Sequence, residues 1–227
     1  MKYKKFTIII PTLNEEKNIG KVLGIITKNY PGIKIIVSDD GSKDKTKNIV
    51  KKYPGTYFLD RKKEKIKGLT ASVIDGILYT KTKFFIVIDG DLQHPPEKIR
   101  EISLALENGS DIVVGIRRKV IVPWPWHRKM ISKSAILLGN LKLVIHKVNC
   151  KDIMSGFFGM DRKKAVSIIN KNKKSFQMHG YKVLFDLLKN MRNISTTGVY
   201  YDFGLRSKGK SKLGGKVIYY YLKSLFS

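Results

Sequence analysis

Apolar positions along the chain fall into two alternating patterns, short continuous runs and helical stripes. Phe6–Ile10 is a β-branched run suited to a strand buried on both faces. Asn14 then offers an N-cap to a helix carrying Ile19, Val22, Leu23 and Ile26 at i, i+3, i+4 and i+7. Lys34–Ser38 reads as a second strand, followed by a helix capped by Ser42 with Ile49 and Tyr53 on its inner face. Tyr57–Leu59 is a short strand, and Leu69, Val73 and Ile77 stripe the next helix. Phe84–Ile88 is again continuous, and Pro95–Pro96 opens a helix with Ile99, Ile102 and Leu106 inside. Asp111–Gly115 is a further strand. This β-α-β-α order predicts an α/β fold, a mostly parallel sheet between helical layers, with its ligand at the carboxyl ends of the strands.

The second half is less regular. An aromatic-basic loop, Pro123–Arg128, precedes an apolar helix over Met130–Ile145. A strand at Gly156–Met160, helices near Arg162–Ile169 and Tyr181–Met191, and a strand at Val199–Phe203 follow. Lys208–Ser227 reads as a Gly/Lys-rich loop and a Tyr-rich amphipathic helix. The expected organisation is one α/β domain over residues 1–205 with a basic extension over 206–227. The apolar run at the N-terminus is too short for a signal peptide, and Ala135–Ile145 falls short of the ~20 residues of a spanning helix. A soluble or peripheral protein of intracellular type is therefore expected.

Charge sharpens this picture. The 227 residues carry a formal net charge of +27, and 4 of the 18 acids but 24 of the 45 basic residues lie after Asp111. A solvated lysine-rich surface explains the total but not the asymmetry, which points to an anionic partner. A single cysteine, Cys150, excludes an intramolecular disulfide framework and a multi-cysteine zinc site. His127, His146 and His179 have no mutual spacing that argues for a metal, while His94, three residues after an Asp-x-Asp, could approach a site there but reads more as a packing or solvent-facing residue.

In so basic a chain the clustered acids need explaining. Asp39-Asp40-Gly41-Ser42 follows the second strand, and Asp89-Gly90-Asp91 follows Phe84–Ile88, so both sit at the carboxyl edge of the sheet. Two carboxylates flanking a glycine can converge on one Mg²⁺ or Mn²⁺, with phosphate oxygens completing the shell, and Gln93 adds a carbonyl ligand candidate. A lone Asp-x-Asp is more often a helix cap or turn; the second acidic cluster behind another apolar strand tips the reading towards metal and nucleotide.

These blocks carry a resemblance. Pro11-Thr12-Leu13-Asn14-Glu15, Asp39–Ser42 with Asp44 and Thr46, and Asp89–Glu97 resemble the inverting family-2 glycosyltransferases of GT-A fold, and within them the polyprenyl (dolichyl)-phosphate mannosyltransferases. The likeness continues in order through Gly115-Ile116-Arg117, Arg128–Lys133, Ser155–Phe158, Phe203–Arg206 and Gly209–Leu213. It implies a nucleotide-sugar donor and a lipid-phosphate acceptor. By motif match, Asp89, Asp91 and Gln93 would hold the metal, and Pro11, Leu13, Glu15, Val37, Asp39 and Gly90 would bind the nucleotide. Arg117, Arg128, Ser132, Arg206 and Lys212 would bind phosphate, with Asp91, Arg117 and Arg206 as the catalytic set.

A phosphate nucleophile is already largely dianionic at neutral pH, so no general base is required. GDP-mannose is the expected donor, with UDP-glucose or UDP-N-acetylglucosamine as alternatives. Leu13, Gly90 and Lys210 depart from the family's common Tyr, Ala and acid. Membrane contact would rest on helix 130–145, Trp124, Trp126 and a terminal helix with Tyr219, Tyr220, Tyr221, Leu222 and Phe226, at the cytoplasmic face. A separate anchoring subunit is the alternative partner for that surface. Asp152 is expected to be structural, near the sugar site.

Two rivals are weaker. Gly204–Ser211 spells a Walker A phosphate loop, but Gly214-Gly215 would fall in the first turn of the helix it needs. Nucleic-acid binding fits the charge, yet no recognition motif appears and two acidic clusters at the ligand edge would repel its backbone.

Overall fold

The computed structural model describes residues 3–120, 126–204 and 215–225; the side chains of 120, 126–133, 135 and 215–218 are not among those described. The elements in chain order are β1 (Phe6–Thr12), α1 (Ile19–Asn29), β2 (Lys34–Asp39), α2 (Thr46–Val50), β3 (Thr56–Asp60), α3 (Leu69–Tyr79), β4 (Phe84–Val87) and α4 (Ile99–Glu107). Then come β5 (Ile112–Val120), α5 (Trp126–Ile145), β6 (Val148–Asn149), β7 (Phe158–Asp161), α6 (Arg162–Lys171), α7 (Val183–Leu188), β8 (Ile194–Ser195), β9 (Thr197–Phe203) and α8 (Gly215–Leu225).

Seven strands form one sheet in the order β3-β2-β1-β4-β7-β5-β9, with β6 and β8 pairing separately. Only β7 runs against its neighbours β4 and β5; the other pairings in the sheet are parallel. The apolar runs are continuous because both faces are covered. Ile8, Ile10, Phe84 and Ile86 pack with Ile19, Val22, Leu23 and Ile102 on one face. Ile9, Phe85 and Val87 pack with Val73, Ile77, Leu184 and Phe185 on the other.

Strand order reverses between β1 and β4, and in open α/β sheets that switch point is where a ligand binds. Pro11 is tolerated inside β1 because β4 ends at Val87, which pairs with Ile9, so the β4 side has no strand left to receive a Pro11 donor.

Several local expectations are corrected. Asn14 does not cap α1; it adopts φ 54° in the preceding loop, and Asn18 stands at the cap position. Ser42 does not cap α2 either, because its hydroxyl donates to Asp39 Oδ2 at 2.5 Å. The helix after it shrinks to five residues, and Tyr53 lies beyond its end with its hydroxyl on the Gly20 carbonyl at 2.7 Å. On the terminal helix α8, Tyr221, Ser224 and Leu225 are buried, while Tyr219 and Leu222 are exposed. Trp124 and Phe226 lie outside the described residues, as do Arg206, Lys212 and the Walker-like segment beyond Gly204.

Candidate active site

The carboxyl ends of β1 and β2 are laced into one rim. Asp39, 2% exposed, accepts from Gly41 N at 3.0 Å, Ser42 N at 2.7 Å, Thr12 Oγ1 at 2.8 Å and the Ser42 hydroxyl. Four acceptances fill a carboxylate, so Asp39 shapes the rim from within. Opposite, Asn14 Oδ1 accepts from Lys43 N at 2.8 Å, Glu15 N donates to Thr46 Oγ1 at 2.9 Å, and Glu16 N donates to Asp44 Oδ2 at 3.0 Å. Burial raises the Asp44 pKa, but hydrogen bonds from Thr46 and Glu16 N outweigh it and leave it below the usual carboxylate value.

Arg61 closes the third side of this rim. Its guanidinium is 3% exposed and meets Asp40, Asp75 Oδ2 at 2.6 Å, Ser72 Oγ at 3.0 Å and the Ile66 carbonyl at 2.9 Å. Asp40 Oδ2 also accepts from Gly68 N at 2.8 Å, which fixes the start of α3 beside β2. Gly68 sits at φ 144°, where a Cβ would stand 2.8 Å from the Met178 carbonyl. The sequence reading missed Arg61, one basic residue among many; only its burial sets it apart.

The second acidic turn follows β4. Asp91 is buried, Asp89 keeps 31% of its side chain exposed, and Leu92 turns the chain at φ 66°. Gln93 N donates to Asp91 Oδ1 at 3.1 Å. The Gln93 Nε2 donates to the Gly204 carbonyl at 3.2 Å, and Gly204 N returns a bond to Gln93 O at 3.1 Å, tying the turn to the end of β9. His94 packs, as one of its expected readings had it, with its ring 5.5 Å from Phe157 and 5.4 Å from Phe203. Burial pushes its pKa down to about 4 against the pull of Asp91, so the imidazole is neutral, with Nδ1 3.4 Å from Asp89 N.

A wall stands over this turn. Arg117, from β5, grips Asp152 with two parallel bonds, Nε to Oδ2 and Nη2 to Oδ1, each 2.7 Å. Burial lowers the Arg117 pKa, but Asp152 outweighs it and the guanidinium is held more firmly charged. The chain then passes Met154, whose carbonyl accepts from Lys182 Nζ at 3.0 Å, to Gly156, where a Cβ would stand 3.2 Å from Asp89 Oδ2. Lys182 was also missed from sequence, because a lysine in a lysine-rich chain carries no pattern.

The expected nucleotide residues divide. Leu13 is exposed, Pro11 and Glu15 are half-buried, and Glu15 accepts from Asn18 Nδ2 at 3.1 Å. Gly90 is buried against Ile10 and Thr12. Val37 is fully buried in the core beneath β2, so its side chain presents no surface to a ligand. Of the expected phosphate-binding residues, Arg117 is beside the turn. Arg128 and Ser132 fall in α5 where the side chains are outside the described residues.

Among the described residues, no three His, Cys, Asp or Glu side chains converge as a protein-only metal cage. Two carboxylates on one turn are nevertheless the donor set of a hard divalent cation that keeps phosphate oxygens and waters in its shell. Asp89 and Asp91 therefore fit Mg²⁺ or Mn²⁺ taken up together with a diphosphate.

Residues 7–168 match the family described as Glycosyl transferase family 2. The chain belongs to that family. Among its relatives, the dolichol-phosphate mannosyltransferase of Pyrococcus furiosus is 37% identical over 98% of this chain and 63% of its own length. The chain thus spans less than two thirds of that relative. The dolichol-phosphate mannosyltransferase of Mycosarcoma maydis is 29% identical over 96% of this chain and 77% of its own length. Glucosyl-3-phosphoglycerate synthase from Mycobacterium tuberculosis, solved with Mn²⁺, UDP and glucosyl-3-phosphoglycerate, superposes with TM-score 0.70 at 18% identity. That match covers 98% of this chain and 78% of the synthase, and at this identity it speaks for the shared α/β fold. The family 2 sheet and helices are those expected from the apolar pattern.

Proposed function

We propose that this family 2 chain is a divalent-metal-dependent inverting glycosyltransferase that moves mannose from GDP-mannose to a polyprenyl (dolichyl) phosphate. The observation that carries the reading is the Asp89–Asp91 turn at the β1/β4 switch point, roofed by Arg117 and Asp152, in a chain 37% identical to a dolichol-phosphate mannosyltransferase.

Mg²⁺ or Mn²⁺ at Asp89 and Asp91, with Gln93 beside them, would supply Lewis-acid stabilisation of the leaving diphosphate. The chain's own residues do the rest. Pro11, Leu13 and Glu15 form the nucleotide rim, Asp39 holds its shape and Gly90 allows close approach; Val37 contributes through the backbone of β2. Arg117, presented in a fixed plane by Asp152, meets the acceptor phosphate, and Arg128, Ser132, Arg206 and Lys212 complete the phosphate-binding set. Asp91, Arg117 and Arg206 are the catalytic residues of the proposal. The acceptor is its own nucleophile, with a second pKa of about 6. Catalysis is then positioning of two anions for single displacement, with inversion at the anomeric carbon.

Residues 1–205 form the catalytic unit in this reading, and 206–227 complete the acceptor side. Among the described residues no helix is long and apolar enough to cross a membrane. On α5, however, Leu137, Leu138, Leu141, Val144 and Ile145 are all exposed, Ile145 to 80%. With Tyr219 and Leu222 of α8, they support peripheral contact with the cytoplasmic face of a membrane carrying the acceptor.

The test offers purified protein, a short polyprenyl phosphate and Mg²⁺ or Mn²⁺ a panel of radiolabelled GDP- and UDP-sugars, with and without chelator. Chelator-sensitive labelling of the lipid by GDP-mannose is expected. Labelling from a UDP-sugar instead corrects the donor, and no labelling from any donor refutes the acceptor.

A further inference from the structure

The ionisable groups around the acidic turn form a small set whose charges can be balanced one against another. Asp89, Asp91, Asp152, Arg117, Lys182, His94 and Tyr201 perturb one another electrostatically. Tyr201 is neutral, because burial raises its hydroxyl well above the usual phenol value. Arg117 and Asp152 cancel in a bidentate pair with side chains only 15% and 8% exposed. Lys182 is the other cation among these groups.

Its geometry matches an unfilled role. Lys182 precedes α7, and one of its three N–H donors is used by the Met154 carbonyl at 3.0 Å. That bond places the ammonium on the segment between Asp152 and Gly156, the stretch that lies against Asp89. Burial strips its hydration and Arg117 repels it; Asp152 and Asp89 offset only part of this, and its pKa falls to about 8. A desolvated ammonium with donors to spare beside a metal-type carboxylate turn is suited to an incoming anion.

We propose that Lys182 is a substrate-binding residue that donates to a phosphoryl oxygen in the space between the Asp89–Asp91 turn and the Arg117–Asp152 pair. The inference rests on the reading of this cleft as a phosphate-handling site and adds to it a cation that no motif in the sequence marks. The phosphoryl oxygen belongs either to the donor's diphosphate or to the acceptor's monophosphate, and the experiment tells these apart.

Lys182→Met removes both the charge and the Met154 bond; Lys182→Gln keeps an N–H donor on a chain one atom shorter and drops the charge. Calorimetry in Mg²⁺ would measure affinity for inorganic pyrophosphate, for GDP and for farnesyl phosphate, with melting temperatures taken in parallel. A hydrogen bond to a charged group predicts a loss of about 10–100-fold for K182M. Loss towards pyrophosphate and GDP assigns the contact to the donor, and loss towards farnesyl phosphate alone assigns it to the acceptor. K182Q that melts like wild type and binds like K182M supports the charge contact. Either variant binding all three probes within threefold of wild type overturns the proposal and leaves Lys182 as a clamp on Met154. Because the probes need no turnover, failure of sugar transfer would sink the functional reading without deciding this one.

Discussion

Gly156 offers the sharpest probe of the acidic turn. A Cβ there would stand 3.2 Å from Asp89 Oδ2, 3.4 Å from Asp89 Oδ1 and 3.2 Å from His94 Cε1. Contacts this short require the neighbours to give by a few tenths of an ångström, and the partly exposed Asp89 carboxylate can swing away cheaply. Gly156→Ala also removes conformational freedom from the unfolded chain, worth about 0.4–1 kcal/mol in favour of folding. The two effects nearly cancel, so the melting temperature should stay within about 3 °C of wild type. If Asp89 ligates the metal as proposed, metal binding should not be spared, because displacing its oxygen by that distance exceeds the ~0.2 Å tolerance of such sites.

The expected loss in Mn²⁺ affinity is about 10–100-fold, the usual cost of disturbing the surroundings of a metal ligand. That corresponds to about 1.4–2.7 kcal/mol. The control is Gly24→Ala on α1, away from the turn, whose Cβ meets only the Tyr53 hydroxyl at an ordinary 3.7 Å and should change little. Titration of Mn²⁺ by electron paramagnetic resonance in the presence of GDP compares the two. Equal affinities in G156A and G24A would refute the idea that the Gly156 wall presses on a metal-binding carboxylate.

Asp152→Asn should destabilise the fold by about 3 kcal/mol, since it leaves the Arg117 guanidinium in a poorly hydrated site without its counter-ion; urea denaturation that moves less than 1 kcal/mol contradicts this. Gly139→Ala, although it improves helix propensity, should lower stability, because its Cβ would collide with the Tyr221 hydroxyl and Ile153 where α8 packs on α5. A thermal melt at or above wild type would show that α8 is not seated there. Lys189→Met should cost about 3 kcal/mol: Lys189 Nζ bonds Asp186 at 2.9 Å and the Ser224 carbonyl at 2.8 Å, and its loss leaves Asp186 buried. Unchanged urea midpoints would refute it. Burial raises the Cys150 thiol above its ordinary value, so alkylation at pH 8 should be at least tenfold slower in native than in urea-unfolded protein; equal rates would contradict the packing.

Fold class and strand positions were legible in the chain because a strand covered on both faces must be apolar throughout. That requirement is local: Phe6–Ile10 and Phe84–Ile88 state it without reference to each other. The same holds for the two acidic clusters, since their place at strand ends follows from the runs before them. Helix caps were less legible. Asn14 and Ser42 have the right chemistry for a cap, but the two loops face each other across the β1/β2 edge, and each found a better partner there than its own helix offered.

Burial and pairing lay beyond the sequence altogether. Val37 resembles a pocket residue until the register with Ile10 and Phe58 turns it into the core. Arg61 and Lys182 are two unmarked cations among 45, and Arg117, which a motif does mark, gives no sign in the sequence of its pairing with Asp152. Desolvation and a facing carboxylate or carbonyl single them out, and the facing groups of Asp75, Asp152 and Met154 lie between 14 and 35 residues away in the chain. Charge pattern along a sequence records how many cations a protein has; only the fold, by removing water from a few of them, decides which ones must find an anion.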